Sequence, residues 1–342
     1  MDYRLTIPVM HCFDDRYTAP AAVAFLSMLE HGAKDCFFAL YVVHSDITPE
    51  HQNMLQKVVA RFPNASLDFI VPKDRIDEDG AEVKNVAHYS KEMFFKLTAA
   101  EEFPQYDRLM ITDVDVLYAD DISKIYEQYL QDENYVIGHN GHRFAPIAWI
   151  DRYTDTSYSK TFTESERQAL SSGVGAGYLI FNLKAMRRDG IVRKFKDYLK
   201  ENIGRIRQPE QDVINLVCAG NIGYLPLRAM VCTYLWRVLE EDEKPAWKEA
   251  MEHPVQLHFP GPDKPWVDVA AIKSDLWWGY LVRTPFFYEV AQKFSLVPRK
   301  STYSFFGKVP FLEIWSRGAV TKVRLGRFFN LRKAIPFWRK KD

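Results

Sequence analysis

Apolar and polar positions alternate along the first half of the chain with two different periods. Compact apolar runs at residues 5–10, 37–43, 67–71, 108–112, 136–142 and 178–182 predict strands. Between them, Ala21, Ala22, Phe25, Leu26 and Leu29 fall at helical spacing and predict a helix over 20–30. Thr48-Pro49-Glu50 supplies an N-cap, a proline at N1 and an early acid, so a second helix is expected over 49–62. Further helices are predicted over 91–102, from 120 to 127, over 184–201 and over 211–219, with a short strand over 254–259. Strands alternating with helices imply an α/β domain with a largely parallel sheet covered on both faces. Ligands bind such sheets at the carboxyl ends of the strands. Residues 143–170 are polar, aromatic and irregular, a long loop of the kind that carries function or moves.

Composition narrows the classes without choosing among them. The 342 residues suit one large or two small domains, and 47% hydrophobic content supports a substantial core. Lys+Arg and Asp+Glu both total 45, so nothing global points to nucleic acid. Cys12, Cys36, Cys218 and Cys232 are scattered, which favours reduced thiols in a cytosolic protein. Neither a signal peptide nor a spanning helix is expected. The overall neutrality hides an asymmetry. From about residue 301, ten Lys and Arg are opposed only by Glu313 and Asp342, and Tyr303, Phe305, Phe306, Phe311, Trp315, Phe328, Phe329, Phe337 and Trp338 interleave with them. That composition predicts attachment to an anionic membrane surface. A helix packed on the main domain and a nucleic-acid patch are competing readings. The expected division is a catalytic domain over 1–290 and a basic, aromatic extension over 291–342.

The candidate chemistry starts at residues 109–118, where an apolar run climbs to Asp113 and Asp115 and becomes apolar again. On an extended strand, residues i and i+2 point the same way. Two carboxylates so placed repel unless positive charge sits between them, and a hard divalent cation suits oxygen ligands. A strand end with two solvated aspartates is the alternative. Asp14, Asp113 and Asp115 all fall at the carboxyl end of a predicted strand, which favours a site. Glycines at 173, 175 and 177 precede a predicted strand and imply either a turn or a close backbone approach. Residues 258–266 then offer an imidazole, a glycine turn, a lysine between prolines and a tryptophan. Histidine is a metal ligand and lysine a compact partner for phosphate.

Taken together, these segments resemble the family 8 retaining glycosyltransferases, which include glycogenin and bacterial lipopolysaccharide galactosyl- and glucosyltransferases. The family's His-x-x-Gly-x-x-Lys-Pro-Trp is matched in full by residues 258–266, and its Asp-x-Asp by Asp113 and Asp115. The resemblance extends along roughly residues 5–285. It implies a GT-A-type nucleotide-diphospho-sugar transferase fold, α/β with a mostly parallel central sheet flanked by helices. It also implies transfer of a hexose, glucose or galactose, from a UDP-sugar to a glycan acceptor, lipopolysaccharide or another surface glycan. Mn2+, or Mg2+, would be ligated by Asp113, Asp115 and His258. Lys264 and the Gly261 amide would hold the diphosphate. Asp14 would contact uracil and Tyr17 stack on it, with Cys12, Lys96 and Val114 also in the donor-binding set. Gly175, Ala176 and Gly177 would line the sugar site. Glu210, Gln211 and Asp212 would face the reacting centre.

This chain departs from the family's pattern at four places. Arg16 replaces an Asn near the nucleotide, Lys96 stands where an Arg is usual, Gly175 replaces Asn, and Glu210 replaces Asp. The last three concern the donor sugar. Retention by double displacement needs a carboxylate nucleophile. The matching Gln211 is an amide, which favours front-face attack, with Glu210 and Asp212 as alternatives. The expected location is cytoplasmic, peripheral on the inner face of the membrane. Two other functions compete. A haloacid-dehalogenase-like phosphatase would use Asp113 as nucleophile and Asp115 as acid/base, but leaves residues 258–266 without a role. A catalytically inactive nucleotide-sugar-binding protein is the other.

Overall fold

A computed structural model describes residues 2–72, 91–139, 158–206, 208–237, 239, 241–261 and 263–293, together with the backbone of 301–303, 312–317 and 320–325. Ten strands build two sheets in this body. In chain order they are β1 (Leu5–Cys12), β2 (Cys36–Val43), β3 (Ala65–Ile70), β4 (Arg108–Thr112), β5 (Val116–Tyr118), β6 (Val136–His139), β7 (Gly175–Asn182), β8 (Ile222–Tyr224), β9 (Val231–Cys232) and β10 (Gln256–His258). The main sheet has seven strands in the order β3-β2-β1-β4-β7-β6-β8. Only β7 runs against its neighbours β4 and β6; the other pairings are parallel.

The side-chain period of two sorts residues to the two faces of this sheet. Met110 and Ile180 pack with Ile7, Val9, Phe25 and Leu26 on one face. Leu109, Ile111, Leu179 and Phe181 pack with Phe195, Val213 and Ile214 on the other. Both faces are therefore buried, as the continuous apolar runs require. Helix Thr18–His31 covers the first face with Ala21 through Leu26 buried. The predicted helix at 49–62 is Pro49–Val59, with the Thr48 side chain accepting from the His51 amide.

Some local expectations changed. Residues 91–98 form a 3-10 helix, followed by one α-turn at Ala99–Glu102. Glu92, Phe95, Lys96, Leu97 and Thr98 are all buried there, so the segment lacks the solvent stripe of an amphipathic α-helix. The helix predicted over 184–201 is two, Leu183–Arg188 and Ile191–Asn202, broken at Gly190 in the left-handed region (φ 63°). Gly175 and Gly177 lie inside β7 rather than before it. The loop expected over 143–170 falls outside the described residues up to 157; beyond it, Thr163 caps a helix over Glu164–Ser171. Within the extension, residues 301–325 contain three antiparallel strands, Ser301–Tyr303, Leu312–Arg317 and Val320–Leu325, that form their own sheet instead of a helix. Residues 326–342 lie outside the described residues.

Candidate active site

The Asp-x-Asp segment is not a strand. β4 stops at Thr112 and β5 starts at Val116, so residues 113–115 cross from one sheet to the other. β5 pairs antiparallel with β10, which pairs parallel with β9, making a second, three-stranded sheet. The crossing is fixed from both sides. The Asp113 amide donates to Gly177 O of β7 at 3.1 Å, and Asp115 O accepts from the Phe259 amide at 2.9 Å. β10 thereby delivers His258 to the two carboxylates. One ligand atom from each of Asp113, Asp115 and His258 lies within 4.8 Å of the others.

The charges around this cluster alternate. His258 Nε2 is 3.2 Å from Asp115 Oδ1 and 3.8 Å from Asp113 Oδ2. Lys264 Nζ donates to Asp115 Oδ2 and to Phe259 O, and lies 5.5 Å from the Tyr17 ring centroid and 5.2 Å from that of Trp266. Burial opposes ionisation of Asp115, yet His258 and then Lys264 outweigh it and hold the carboxyl well below its usual range. Burial likewise opposes the imidazolium, but Asp115 pushes the His258 pKa up to about 10. Two carboxylates and an imidazole at these separations could hold a divalent cation, which would replace the imidazolium proton as the positive charge.

Lys96 lies on the other side of Asp113 and is fully buried. Its ammonium donates to Asp113 Oδ1 (2.7 Å), Glu210 Oε1 (2.9 Å) and Ala176 O (3.1 Å). Burial works against the charge, but Asp113 and then Glu210 hold the lysine well above its usual value. All three of its protons therefore have protein acceptors.

Helix Pro209–Val217 carries the other three candidates on its first turn. Glu210 and Asp212 are buried, and Gln211 is the one with accessible surface. Gln211 Oε1 accepts from the Ala176 amide at 3.1 Å, tying the helix to β7. Asp212 Oδ2 accepts from the Gln208 amide at 2.9 Å, a turn-closing contact. At Gly177 a Cβ would stand 2.7 Å from His258 Cε1, so the close backbone approach expected from the glycines is made here to the imidazole. At Gly175 the nearest atom, Gln211 Oε1, would be 3.7 Å away.

The turn after β1 supplies Asp14 and Tyr17. Asp14 accepts from the Arg16 amide and Nε, both at 3.0 Å, so Arg16, one of the four residues that depart from the family's pattern, covers this carboxylate. The Tyr17 ring meets Trp266 edge-on at 6.0 Å. Cys12 ends β1, buried; Val114 is buried between the two aspartates; Gly261 (φ 70°) makes the turn between His258 and Lys264. The residues singled out from sequence thus lie at the carboxyl edges of β1 and β4, on β7, on the 3-10 helix at 91–98, on helix Pro209–Val217 and on β10 with the turn that follows it. Sequence reasoning did not reach His11, Cys232 or Asn215. Asn215 holds Val174 by two hydrogen bonds, and His11 bonds Thr112 O at 3.1 Å, one residue before Asp113. Cys232 lies in a two-residue strand and His11 at the uniformly buried end of β1, while the role of Asn215 depends on a contact 41 residues away.

Comparison with known proteins agrees with this architecture. Residues 8–270 match the profile of glycosyl transferase family 8. The chain is 20% identical over 266 residues to General stress protein A of Bacillus subtilis, covering 75% of this chain and 86% of that protein. It is 20% identical over 279 residues to a lipopolysaccharide 1,2-glucosyltransferase of Escherichia coli, covering 80% and 77%. Among solved structures, galactosyltransferase LgtC with donor and acceptor sugar analogs superposes with a TM-score of 0.60 at 21% identity, over 82% of this chain and 96% of that one. The apo WbbM bifunctional enzyme gives 0.67 at 18% identity over 85% of this chain, which spans only 52% of the WbbM chain. At these identities the structural likeness speaks for the fold, a GT-A-like α/β architecture. The profile match, spanning most of the chain, settles the family: this protein belongs to glycosyl transferase family 8.

Proposed function

We propose that this glycosyltransferase moves a hexose from a UDP-sugar to a glycan acceptor with the help of a divalent cation, Mn2+ or Mg2+. The observation that carries the reading is the Asp113–Asp115–His258 cluster, with Lys264 beside it, at the carboxyl edge of the sheet. A cation bound there supplies charge stabilisation to the diphosphate as the glycosidic bond breaks. Lys264, framed by Tyr17 and Trp266, is placed to hold the diphosphate, and Tyr17 to offer a face to the base. Lys96 serves by holding Asp113, since its protons are already committed to the protein. The burial of Glu210 and Asp212 argues against either as a nucleophile, and Gln211 is an amide. Front-face attack, with the leaving phosphate taking the acceptor's proton, is the route these residues favour.

The names of the relatives make a lipopolysaccharide or another surface glycan the proposed acceptor. Among the described residues no helix is long and apolar enough to cross a membrane. The basic, aromatic extension is proposed to hold the enzyme peripherally on the cytoplasmic side of an anionic membrane. Membership in family 8 removes the support for a phosphatase, which would also start from its first strand rather than from the fourth.

The test is a screen of UDP-sugars for Mn2+-dependent UDP release, beside phosphate release from phosphomonoesters. Turnover of one UDP-sugar, lost in EDTA, restored by Mn2+ and abolished in Asp115→Ala, is the expected result. Undiminished turnover in EDTA would remove the metal from the proposal, and UDP binding without any turnover would favour an inactive binding protein.

A further inference from the structure

The metal-facing histidine has an unusual partner. β9 and β10 run parallel with Cys232 directly opposite His258, and both side chains lie on the same side of this small sheet. Cys232 Sγ is 3.7 Å from His258 Nδ1, within hydrogen-bonding range for sulfur. Both groups are buried. The other ring nitrogen, Nε2, faces Asp115 and Asp113. An imidazole that presents Nε2 as a lone pair to a cation must carry its remaining proton on Nδ1. That proton then points at the Cys232 sulfur.

The strand that carries Cys232 is itself held in place. Trp247 Nε1 donates to Cys232 O at 3.1 Å, and Thr233 Oγ1 donates to His258 O at 3.1 Å. The backbone of Gly177 passes close to the same edge of the ring: a Cβ there would stand 2.7 Å from His258 Cε1 and 3.0 Å from Nδ1. The sulfur is the polar atom that meets Nδ1, as the Asp115 carboxylate meets Nε2.

We propose that Cys232 is a positioning residue that fixes His258 in the tautomer able to ligate a divalent cation. The proposal rests on the metal reading given above. Metal-bound imidazoles usually donate their second N–H to an oxygen acceptor, and loss of that acceptor typically weakens metal binding about 10–100-fold. Here a thiol takes that place. A hydroxyl at the same position keeps an acceptor, whereas a methyl group removes it.

The experiment measures Mn2+ binding to the full chain by electron paramagnetic resonance, without nucleotide, for wild type, Cys232→Ala, Cys232→Ser and Asp115→Ala. Cys232→Ala should bind Mn2+ roughly tenfold more weakly. Cys232→Ser should recover most of that loss. In turnover assays, the Mn2+ concentration for half-maximal activity should rise in Cys232→Ala while kcat at saturating Mn2+ stays unchanged. That split separates a role at the metal from a general loss of folded protein, which lowers kcat at every Mn2+ concentration. Mn2+ affinity in Cys232→Ala equal to wild type would overturn the proposal. So would a serine variant as weak as the alanine one, because the effect would then be packing. Equal Mn2+ binding by wild type and Asp115→Ala would instead take down the metal reading itself, and this inference with it.

Discussion

Lys96, His258 and Lys264 interleave with Glu210, Asp113 and Asp115 so that each carboxylate has a cation within contact distance. Buried ion pairs of this kind are weak sources of stability, but removing one partner exposes the full desolvation cost of the other. Lys96→Met should therefore destabilise the fold by about 3 kcal/mol, because Glu210 and Asp113 lose their shared cation. Urea denaturation checks this, and an unchanged midpoint would mean that the Lys96 network is not formed. A second residue sets an acid limit. His11 is fully buried, and burial lowers its pKa from 6.5 to about 3. The unfolded chain takes up a proton near pH 6.5 that the folded chain refuses, so the unfolded state holds more protons between pH 6.5 and 3. Stability should thus fall as pH falls through that window, by at most about 1.4 kcal/mol per unit from this one group. His11→Asn, which can still donate toward Thr112 O, should flatten that slope. Identical slopes in wild type and variant between pH 6.5 and 4.5 would count against it.

At the scale of elements, the site is a junction of two sheets. β4 and β7 of the large sheet fix Asp113 through Gly177 O, and β10 of the small sheet fixes Asp115 through the Phe259 amide. Glycine at 177 is what lets β7 pass beneath the imidazole of β10. Gly177→Ala places a methyl group against His258, and overpacking of this sort costs typically 1–3 kcal/mol. The expected signature is weaker Mn2+ binding together with that modest loss of stability, measured on the same preparations. An alanine variant with wild-type Mn2+ affinity would show that the two strands can separate without cost to the ligand set.

At the scale of the molecule, the body through residue 293 contains every residue proposed to touch donor or metal, and the extension follows it in sequence. Truncation after residue 293 should leave UDP-sugar hydrolysis largely unchanged and reduce binding to anionic vesicles. Each Lys or Arg near such a surface contributes about 1 kcal/mol, so the twelve in residues 294–342 should give salt-sensitive attachment. Co-sedimentation with anionic and neutral vesicles at low and high salt tests it. Equal binding by the full and shortened chains would exclude the extension as the anchor, and aggregation of the shortened chain would show that it packs on the body.

What the sequence determined by itself was set by local physics. Apolar runs bounded by turn residues specify β1, β2 and β4, because a strand buried on both faces needs no partner information to look like one. Thr48 and Pro49 announce their helix through capping, which is a property of adjacent residues. Asp113 and Asp115, and the spaced set from His258 to Trp266, announced a site because such residues in apolar surroundings need a reason to be there. The tertiary structure decided the rest. It placed Asp113 and Asp115 in a crossing between sheets, where the pairing of β5 with β10, residues 138 positions apart at Tyr118 and Gln256, brings His258 to them. It turned Lys96 inward onto Glu210, 114 residues away, and set Cys232 against His258 through a two-residue strand. Contacts of that separation leave no periodicity in the sequence, since they depend on which strands pair and in what register.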